Sequence, residues 1–202
     1  MTSIKKLYLA SSNPGKLKEF LAIADVASAG LELELLPGFA ELPAFREDAP
    51  TFAENAAGKV LHVSATTEQA VCADDSGLVV PALGGEPGVR SARYAGERAT
   101  AADNIAKLLT ALQGKTGKKR LAYFVCVLAV AQRGRVISVI SNRVDGEILE
   151  SPRGSGGFGY DPVFYFPPLQ KTFAEIPGAE KNLHSHRGNA FRRLLDVLPR
   201  ML

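Results

Sequence analysis

The chain has 202 residues, 46% of them hydrophobic, and its 24 Lys and Arg residues against 21 Asp and Glu residues leave a net charge of +3. This length allows a substantial core, and no Pro/Gly/Ser-rich linker divides the chain, so we expect a single domain over 1–202. The net charge is too small to indicate a nucleic-acid-binding surface. The longest apolar stretch, over 121–131, is too short to cross a bilayer, and the apolar run over 7–10 is too short for the core of a signal peptide. Both observations favour a soluble, cytoplasmic protein that binds no membrane.

Apolar runs alternate with helical patterns in the first part of the chain. The periodicity predicts a strand over 7–10, a helix over 16–27, a strand over 31–36, a helix over 51–65 and a strand over 70–74. Thr51 and Glu54 have the spacing of a capping box at the start of the second helix. This order of elements is typical of an α/β protein.

The second part of the chain is richer in β-branched residues. After a helix over 101–112, capped by Thr100, the pattern predicts strands over 121–131, 136–141 and 144–149, with a hairpin turn at Arg133 and Gly134. A last helix over 188–198 carries an apolar stripe that predicts core packing. A mixed, twisted central sheet flanked by helices fits this pattern better than a purely parallel one. Cys72 and Cys126 lie in strand-like apolar runs and are expected to be structural thiols.

Two adjacent acids, Asp74 and Asp75, follow a short apolar run and precede Ser76 and Gly77. The carboxyl ends of buried strands are where α/β proteins place their chemistry, so this pair is a candidate active site. Neighbouring side chains on a strand point to opposite faces, and both acids could serve one site only if the chain bent at Gly77. We therefore expect one working acid, Asp75. A solvated pair of acids in an Asx turn is the alternative.

The first predicted strand runs directly into residues 11–16, Ser-Ser-Asn-Pro-Gly-Lys, where the first helix begins. Unpaired N–H groups at a helix N-terminus favour an anion, and Lys16 adds a positive charge. On the next helix Asn55 and Lys59 are four residues apart and share a face. Both segments suit phosphate binding, although an ordinary strand-to-helix turn and a solvated helix face fit the same patterns.

Glycines surround Phe158 in the segment 154–162, Gly-Ser-Gly-Gly-Phe-Gly-Tyr-Asp-Pro. Glycine lets the backbone approach a ligand closely, and an aromatic face can stack on a nucleobase. A flexible loop is the alternative, but such loops are usually Gly/Ser-rich without aromatic residues.

Several hydrogen-bond donors come together just before the last helix, at Lys181, Ser185, His186 and Arg187. An arginine fork and an imidazole suit the edge of a 6-oxopurine. A zinc site is not expected, because the histidines in this segment have no further nitrogen or sulfur ligand at suitable spacing.

Together these segments resemble the Ham1/RdgB family of inosine triphosphate pyrophosphatases, which hydrolyse noncanonical purine nucleoside triphosphates to the monophosphate and pyrophosphate. The match extends from Leu7 to Phe191. Any one motif is weak, whereas all of them in order are highly specific. The motifs are Ser-X-Asn-X-Gly-Lys at 11–16, Thr-Phe-X-Glu-Asn-Ala at 51–56 with Lys59, Ala-Asp-Asp-Ser-Gly-Leu at 73–78, Pro-Gly-X-X-Ser-Ala-Arg-Tyr-Ala-Gly at 87–96, Gly-Phe-Gly-Tyr-Asp-Pro at 157–162 and Ser-His-Arg at 185–187.

The resemblance implies a mixed α/β fold of two lobes with a Mg²⁺-dependent active-site cleft between them, and usually a homodimer. Asp75 matches the catalytic carboxylate, which binds the metal or takes a proton from the attacking water. The other predicted site residues bind the nucleoside triphosphate substrate, and they are Ser11, Ser12, Asn13, Pro14, Gly15, Lys16, Asn55, Lys59, Ser76, Phe158, Gly159, Tyr160, Asp161, Lys181, His186 and Arg187.

The chain departs from the family pattern at one metal ligand. Many members carry paired glutamates shortly before the Thr-Phe motif, and an ungapped alignment places Arg46 at the first of them, with Glu47 next to it. We assign Glu47 and Asp75 as the metal ligands. Asp74 is an alternative to Glu47, and a metal that relies more on Asp75 and phosphate oxygens is another.

The expected substrates are ITP, dITP and XTP, since a site built to bind a 6-oxo group rejects adenine. Two alternatives use the same residues. One is a sensor that binds a purine nucleotide without hydrolysing it, and the other is a Maf-like pyrophosphatase that acts on other modified nucleotides.

Overall fold

The computed structural model describes residues 5–11, 14–26 and 31–198. The described strands form one sheet in the order β2-β1-β3-β4-β5-β6-β7. Strand β1 is parallel to β2 and β3, whereas β6 is antiparallel to β5 and β7, so the predicted mixed α/β fold is confirmed. The strands are β1 Lys5–Leu9, β2 Leu31–Leu35, β3 Ala70–Val79, β4 Leu121–Gln132, β5 Arg135–Ile148, β6 Phe164–Phe166 and β7 Lys171–Thr172. The α-helices are α1 Pro14–Val26, α2 Phe52–Ser64, α3 Ala101–Ala111, α4 Gly178–His184 and α5 His186–Val197.

The chain divides into two compact units. The first covers Met1–Asp75, Cys126–Asn142 and Arg187–Leu202, and the second covers Ser76–Val125 and Arg143–His186. In the parts of the chain that the structure describes, no helix is long and apolar enough to cross a membrane.

The first unit has its core where α1 and α5 pack on the sheet. Phe20 of α1 and Phe191 of α5 are fully buried, with ring centroids 4.6 Å apart. The apolar stripe predicted for the last helix lies in this core, as do both cysteines, which are free thiols. Because β-strand side chains alternate, Ala70 and Cys72 face this core, and Asp74 lies on the same side of β3.

Helix α2 begins at the predicted cap. The Thr51 hydroxyl accepts a hydrogen bond from the Glu54 N–H at 3.2 Å and donates to the Glu54 carboxylate at 2.7 Å. In the second unit Thr100 and Asp103 form a full capping box at the start of α3. These local signals are read from short spacings, and each marks a helix start correctly.

Aromatic side chains fill the core of the second unit. Phe124, Phe164 and Phe173 are buried together, with ring centroids 4.5 Å apart between the first two and 5.0 Å between the last two. The predicted hairpin turn is confirmed, because Arg133 and Gly134 both have positive φ, of 50° and 72°, as a two-residue turn between twisted strands requires.

Three expectations about the elements were wrong. The two strands predicted over 136–141 and 144–149 are one strand, β5, which runs without a break from Arg135 to Ile148. The short elements β6, β7 and α4 were not predicted, since runs this short carry no clear periodicity. Strand β3 continues beyond its predicted end at Asp74, through Gly77 to Val79, so Asp74 and Asp75 both lie within the strand.

Candidate active site

Strand β3 delivers its two adjacent carboxylates to opposite faces of the sheet. Asp74 accepts a hydrogen bond from Nζ of Lys16 on α1 at 2.9 Å, whereas Asp75 accepts one from Nδ2 of Asn55 on α2 at 3.0 Å. Both are buried, with 1% and 7% of their surface exposed. The alternation of side chains along a straight strand therefore gives the two acids different surroundings and different chemistry.

Asp74 is the counter-ion of a buried cationic cluster. Besides Lys16, Nε of Arg187 lies 3.9 Å from its carboxylate, and Nη1 of Arg187 donates to Glu19 at 2.7 Å. Burial by itself would raise the pKa of Asp74, but Lys16 and Arg187 hold it well below its usual range. Asp74 is therefore ionised and already bound by two cations, which makes it a weaker candidate for the metal ligand than Glu47.

Asp75 has the opposite electrostatics. Burial and the nearby Glu47 carboxylate raise its pKa from 3.8 to about 6, although the hydrogen bond from Asn55 opposes the rise. A carboxyl group with a pKa near neutrality can exchange a proton under physiological conditions, which is what a general base needs.

Asn55 holds the acid and the preceding segment together. It is fully buried, and besides donating to Asp75 it accepts a hydrogen bond from the Ala49 N–H at 2.9 Å and donates to the Ala49 carbonyl at 3.4 Å. These contacts show that the Asn55 amide positions Asp75 and the chain around residue 49. That Asn55 also binds substrate stays a prediction.

That segment places Glu47 beside the acid. Oε1 of Glu47 lies 2.7 Å from Nζ of Lys59, and both side chains are largely buried. Arg46 points the other way, since its side chain is 87% exposed and pairs with Asp48 at 2.9 Å. Glu47, unlike its neighbour Arg46, is close enough to Asp75 for its charge to raise the pKa of that acid.

A glycine inside α2 makes this placement possible. A Cβ at Gly58 would lie 2.5 Å from Cζ of Phe45, so the glycine leaves room for the Phe45 ring to pack against α2. Phe45 precedes Glu47 by two residues, and its packing therefore helps to place Glu47. Sequence reasoning missed this contact. A glycine in the middle of an otherwise regular helix was the available signal, since it costs stability unless something packs there.

Glu47 and Asp75 can hold a divalent metal only together with further ligands from outside the protein. Among the described residues no group of three or more His, Cys, Asp or Glu side chains is placed to bind a metal. Mg²⁺ is commonly held by one or two carboxylates together with substrate phosphates and water. The two acids therefore fit an ion that arrives with, or is completed by, a phosphorylated ligand.

The glycine loop of the second unit presents an aromatic face. The Phe158 side chain is 46% exposed, and its backbone N–H donates to Oδ2 of Asp161 at 2.8 Å. The same oxygen accepts from the buried Nζ of Lys181 at 2.5 Å, and that ammonium lies 4.6 Å from the Phe158 ring centroid. Gly157 has φ of +69° and a Cβ there would lie 2.1 Å from Oδ2 of Asp161, so the loop closes around this carboxylate only with glycine.

Tyr160 packs in the core of the second unit, and its predicted contact with substrate stays a prediction. It is buried, its hydroxyl donates to the Ser91 carbonyl at 2.8 Å, and burial raises its pKa. The Ser91 hydroxyl in turn accepts from the Leu78 N–H at 2.9 Å and donates to the Gly88 carbonyl at 2.7 Å. Tyr160 thus anchors the glycine loop to the motif at 87–96, whose function the sequence left open.

The remaining predicted residues are distributed over both units. His186 is buried and stacks on Phe124 with ring centroids 4.8 Å apart and an interplanar angle of 11°. Ser12 and Asn13 lie outside the described residues, and Pro14 is the first residue of α1. The first unit holds Ser11, Gly15, Lys16, Glu47, Asn55, Lys59, Asp75 and Arg187, and the second holds Ser76, Phe158, Gly159, Tyr160, Asp161, Lys181 and His186.

Known proteins are similar to this chain over nearly its whole length. A protein 50% identical over 191 residues, covering 95% of this chain and 93% of its own length, is a dITP/XTP pyrophosphatase of Geobacillus kaustophilus. Another, from Desulfotalea psychrophila, is also a dITP/XTP pyrophosphatase and is 44% identical over 98% of this chain and 87% of its own length.

Solved structures agree as well. The Ham1 protein of Coxiella burnetii has a TM-score of 0.86 at 40% identity, covering 97% of this chain and 99% of that one. The Ham1 protein of Staphylococcus aureus also has a TM-score of 0.86, at 39% identity and the same coverage. The family model described as the Ham1 family matches residues 7–197. Nearly the whole chain is matched in sequence and in fold, and the protein therefore belongs to the Ham1 family.

Proposed function

We propose that this protein hydrolyses noncanonical purine nucleoside triphosphates, ITP, dITP and XTP, to the monophosphate and pyrophosphate. The proposal rests on the position of Asp75 near the ion pair that Glu47 forms with Lys59. Burial and the Glu47 charge raise the pKa of this acid. The names of its relatives as dITP/XTP pyrophosphatases support the same activity.

Asp75 is the base in this proposal. Asn55 fixes Oδ2 of its carboxylate, so the group is held in one orientation toward a water that attacks the α-phosphorus in line. The water gives its proton to Asp75, its oxygen bonds to the α-phosphorus, and the bond to the bridging oxygen breaks as pyrophosphate leaves. Asp75→Asn is expected to lower turnover at least about a thousandfold, because the amide cannot accept the proton.

Two lysines supply positive charge for the triphosphate. Lys16 lies in the first turn of α1, where helix N–H groups also favour an anion, and Asp74 holds its ammonium in place. In this proposal the Lys16 ammonium contacts the phosphate oxygens of the bound nucleotide. Lys59 is the second cation, and carboxylates on its side of the sheet raise its pKa although burial acts to lower it.

We assign Mg²⁺ as the cofactor, held by Glu47 and Asp75. When bound, the ion neutralises phosphate charge and polarises the phosphoryl group. Asp75 would then have two roles, as a ligand of the ion and as the acceptor of the water proton, and the positive charge of the ion would lower its pKa.

The second unit would select the base. The half-exposed Phe158 ring offers a stacking surface, and Asp161 and Lys181 hold it in place. Discrimination against adenine follows if buried donors near His186 meet the 6-oxo group, because an amino group there would leave a donor unpaired. We further propose that the protein is a homodimer, as the family resemblance implies, and that it acts in the cytoplasm, as the sequence analysis predicts.

The test is to incubate the purified protein with ITP, dITP, XTP, ATP and GTP, with and without Mg²⁺, and to measure pyrophosphate and orthophosphate separately. Metal-dependent pyrophosphate release from the inosine and xanthosine nucleotides is the expected result. Binding of ITP without release would indicate a nucleotide sensor, and equal turnover of ATP and ITP would refute the proposed selectivity.

A further inference from the structure

Lys59 forms an ion pair with Glu47, one of the two carboxylates proposed to hold the metal. Its Nζ lies 2.7 Å from Oε1 of Glu47, and its side chain is one of the more buried among the lysines that form ion pairs here. A lysine ammonium is charged at neutral pH, and at this distance it forms an ion pair with the Glu47 carboxylate.

We propose that Lys59 competes with the metal for Glu47, and that metal binding transfers Lys59 from this carboxylate to the phosphates of the nucleotide. This inference rests on the proposed function and concerns how that site is loaded. It assigns Lys59 two alternating partners, a carboxylate when no metal is bound and a phosphate when metal and nucleotide are both present.

Electrostatics make the two states exclusive. A divalent ion bound to Glu47 would lie within a few ångströms of a buried ammonium, and like charges at that distance repel strongly in a site with little water. A nucleoside triphosphate removes the conflict, because its phosphates attract both the ion and the displaced ammonium. Metal and nucleotide should therefore strengthen each other's binding by the same factor, as thermodynamic linkage requires.

The geometry of α2 allows the exchange. Asn55, one turn before Lys59, is committed to Asp75 and to the Ala49 backbone, so the carboxylates stay in place when the lysine moves. A lysine side chain has four flexible methylene groups, and its ammonium can reach a new partner without movement of the helix.

The decisive variant is Lys59→Met, which keeps the apolar stem and removes the charge. Binding of Mn²⁺ without nucleotide, followed by the electron paramagnetic resonance signal of the free ion, should become about tenfold tighter or more. The matched control is Lys6→Met. Lys6 lies on β1 and also pairs with a glutamate, Glu34, at 2.9 Å, but neither residue is proposed to hold the metal. It should leave Mn²⁺ binding within about twofold of the unmodified protein.

Inorganic triphosphate tests the second half of the proposal. Added to the unmodified protein, it should tighten Mn²⁺ binding beyond its own complexation of the ion, and Lys59→Met should lose most of that gain. Glu47→Gln should abolish the effect of Lys59→Met on Mn²⁺ binding, because the two changes act on one contact.

Unchanged or weaker Mn²⁺ binding by a folded Lys59→Met protein, judged by circular dichroism, would overturn the proposal. So would an equal increase for Lys6→Met, since that would reflect net charge alone. Neither readout requires turnover, so a failed ITP hydrolysis assay with the unmodified protein would refute the proposed function separately.

Discussion

Replacing Asp75 with asparagine should stabilise the metal-free protein, and replacing its neighbour Asp74 should do the reverse. In the folded chain the pKa of Asp75 is raised from 3.8 to about 6, which means that folding disfavours its ionised form. Each tenfold change in an ionisation constant corresponds to about 1.4 kcal/mol, so above pH 7 the ionised acid lowers the free energy of unfolding by about 2 to 3 kcal/mol. Asparagine is neutral at every pH and avoids this loss.

The direction of the pKa shift at each acid decides how its contribution to stability changes with pH. A group whose pKa is raised on folding contributes its full stability below the pKa of the unfolded chain, near 4, and loses it as the pH rises through about 6. The difference between Asp75→Asn and the unmodified protein should therefore be small at pH 4 and reach its maximum near pH 8. The pKa of Asp74 is lowered, so its contribution is present above the unfolded pKa and is lost on acidification.

Urea denaturation in the presence of a chelator measures both variants. Between pH 4 and pH 8.5 the midpoint for Asp75→Asn should rise relative to the unmodified protein, at constant slope. Asp74→Asn is the matched control on the adjacent residue, and it should lose about 3 to 5 kcal/mol at neutral pH because Lys16 and Arg187 are left without their buried counter-ion. A destabilised Asp75→Asn protein, or a gain that does not depend on pH, would refute the reasoning.

Three further changes test the positioning of the site. Gly58→Ala should cost about 1 to 3 kcal/mol in thermal or urea unfolding and lower kcat/KM, because the added Cβ meets the Phe45 ring at 2.5 Å; an unaffected protein would show that this contact is not needed. Phe158→Ala should raise KM for ITP by about tenfold through lost stacking, with little change in stability since the ring is 46% exposed, and an unchanged KM would remove Phe158 from base binding. Tyr160→Phe should raise KM for ITP several-fold while kcat stays near that of the unmodified enzyme, since the hydroxyl anchors the glycine loop; a fall in kcat alone would contradict that role.

The resemblance and the local patterns predicted much of the fold. Helices α1, α2, α3 and α5 were anticipated because apolar residues recur at helical spacing, and Thr51 and Thr100 mark two helix starts by spacing alone. The short strands β6 and β7 could not be anticipated, since their pairing partners rather than their own residues define them.

By itself the sequence determined that Asp74 and Asp75 are adjacent at the end of a predicted strand, and that neighbouring side chains on a strand point to opposite faces. It also determined which residue types stand close to them along the chain. The structure showed that β3 continues through both acids to Val79. Only the tertiary structure decided what each acid faces, because Lys16 and Arg187 meet Asp74 and Asn55 meets Asp75 across long stretches of chain. These neighbours make Asp74 a counter-ion with a lowered pKa and raise the pKa of Asp75 to about 6. No local sequence pattern specifies this difference, because a pKa depends on burial and on neighbouring charges.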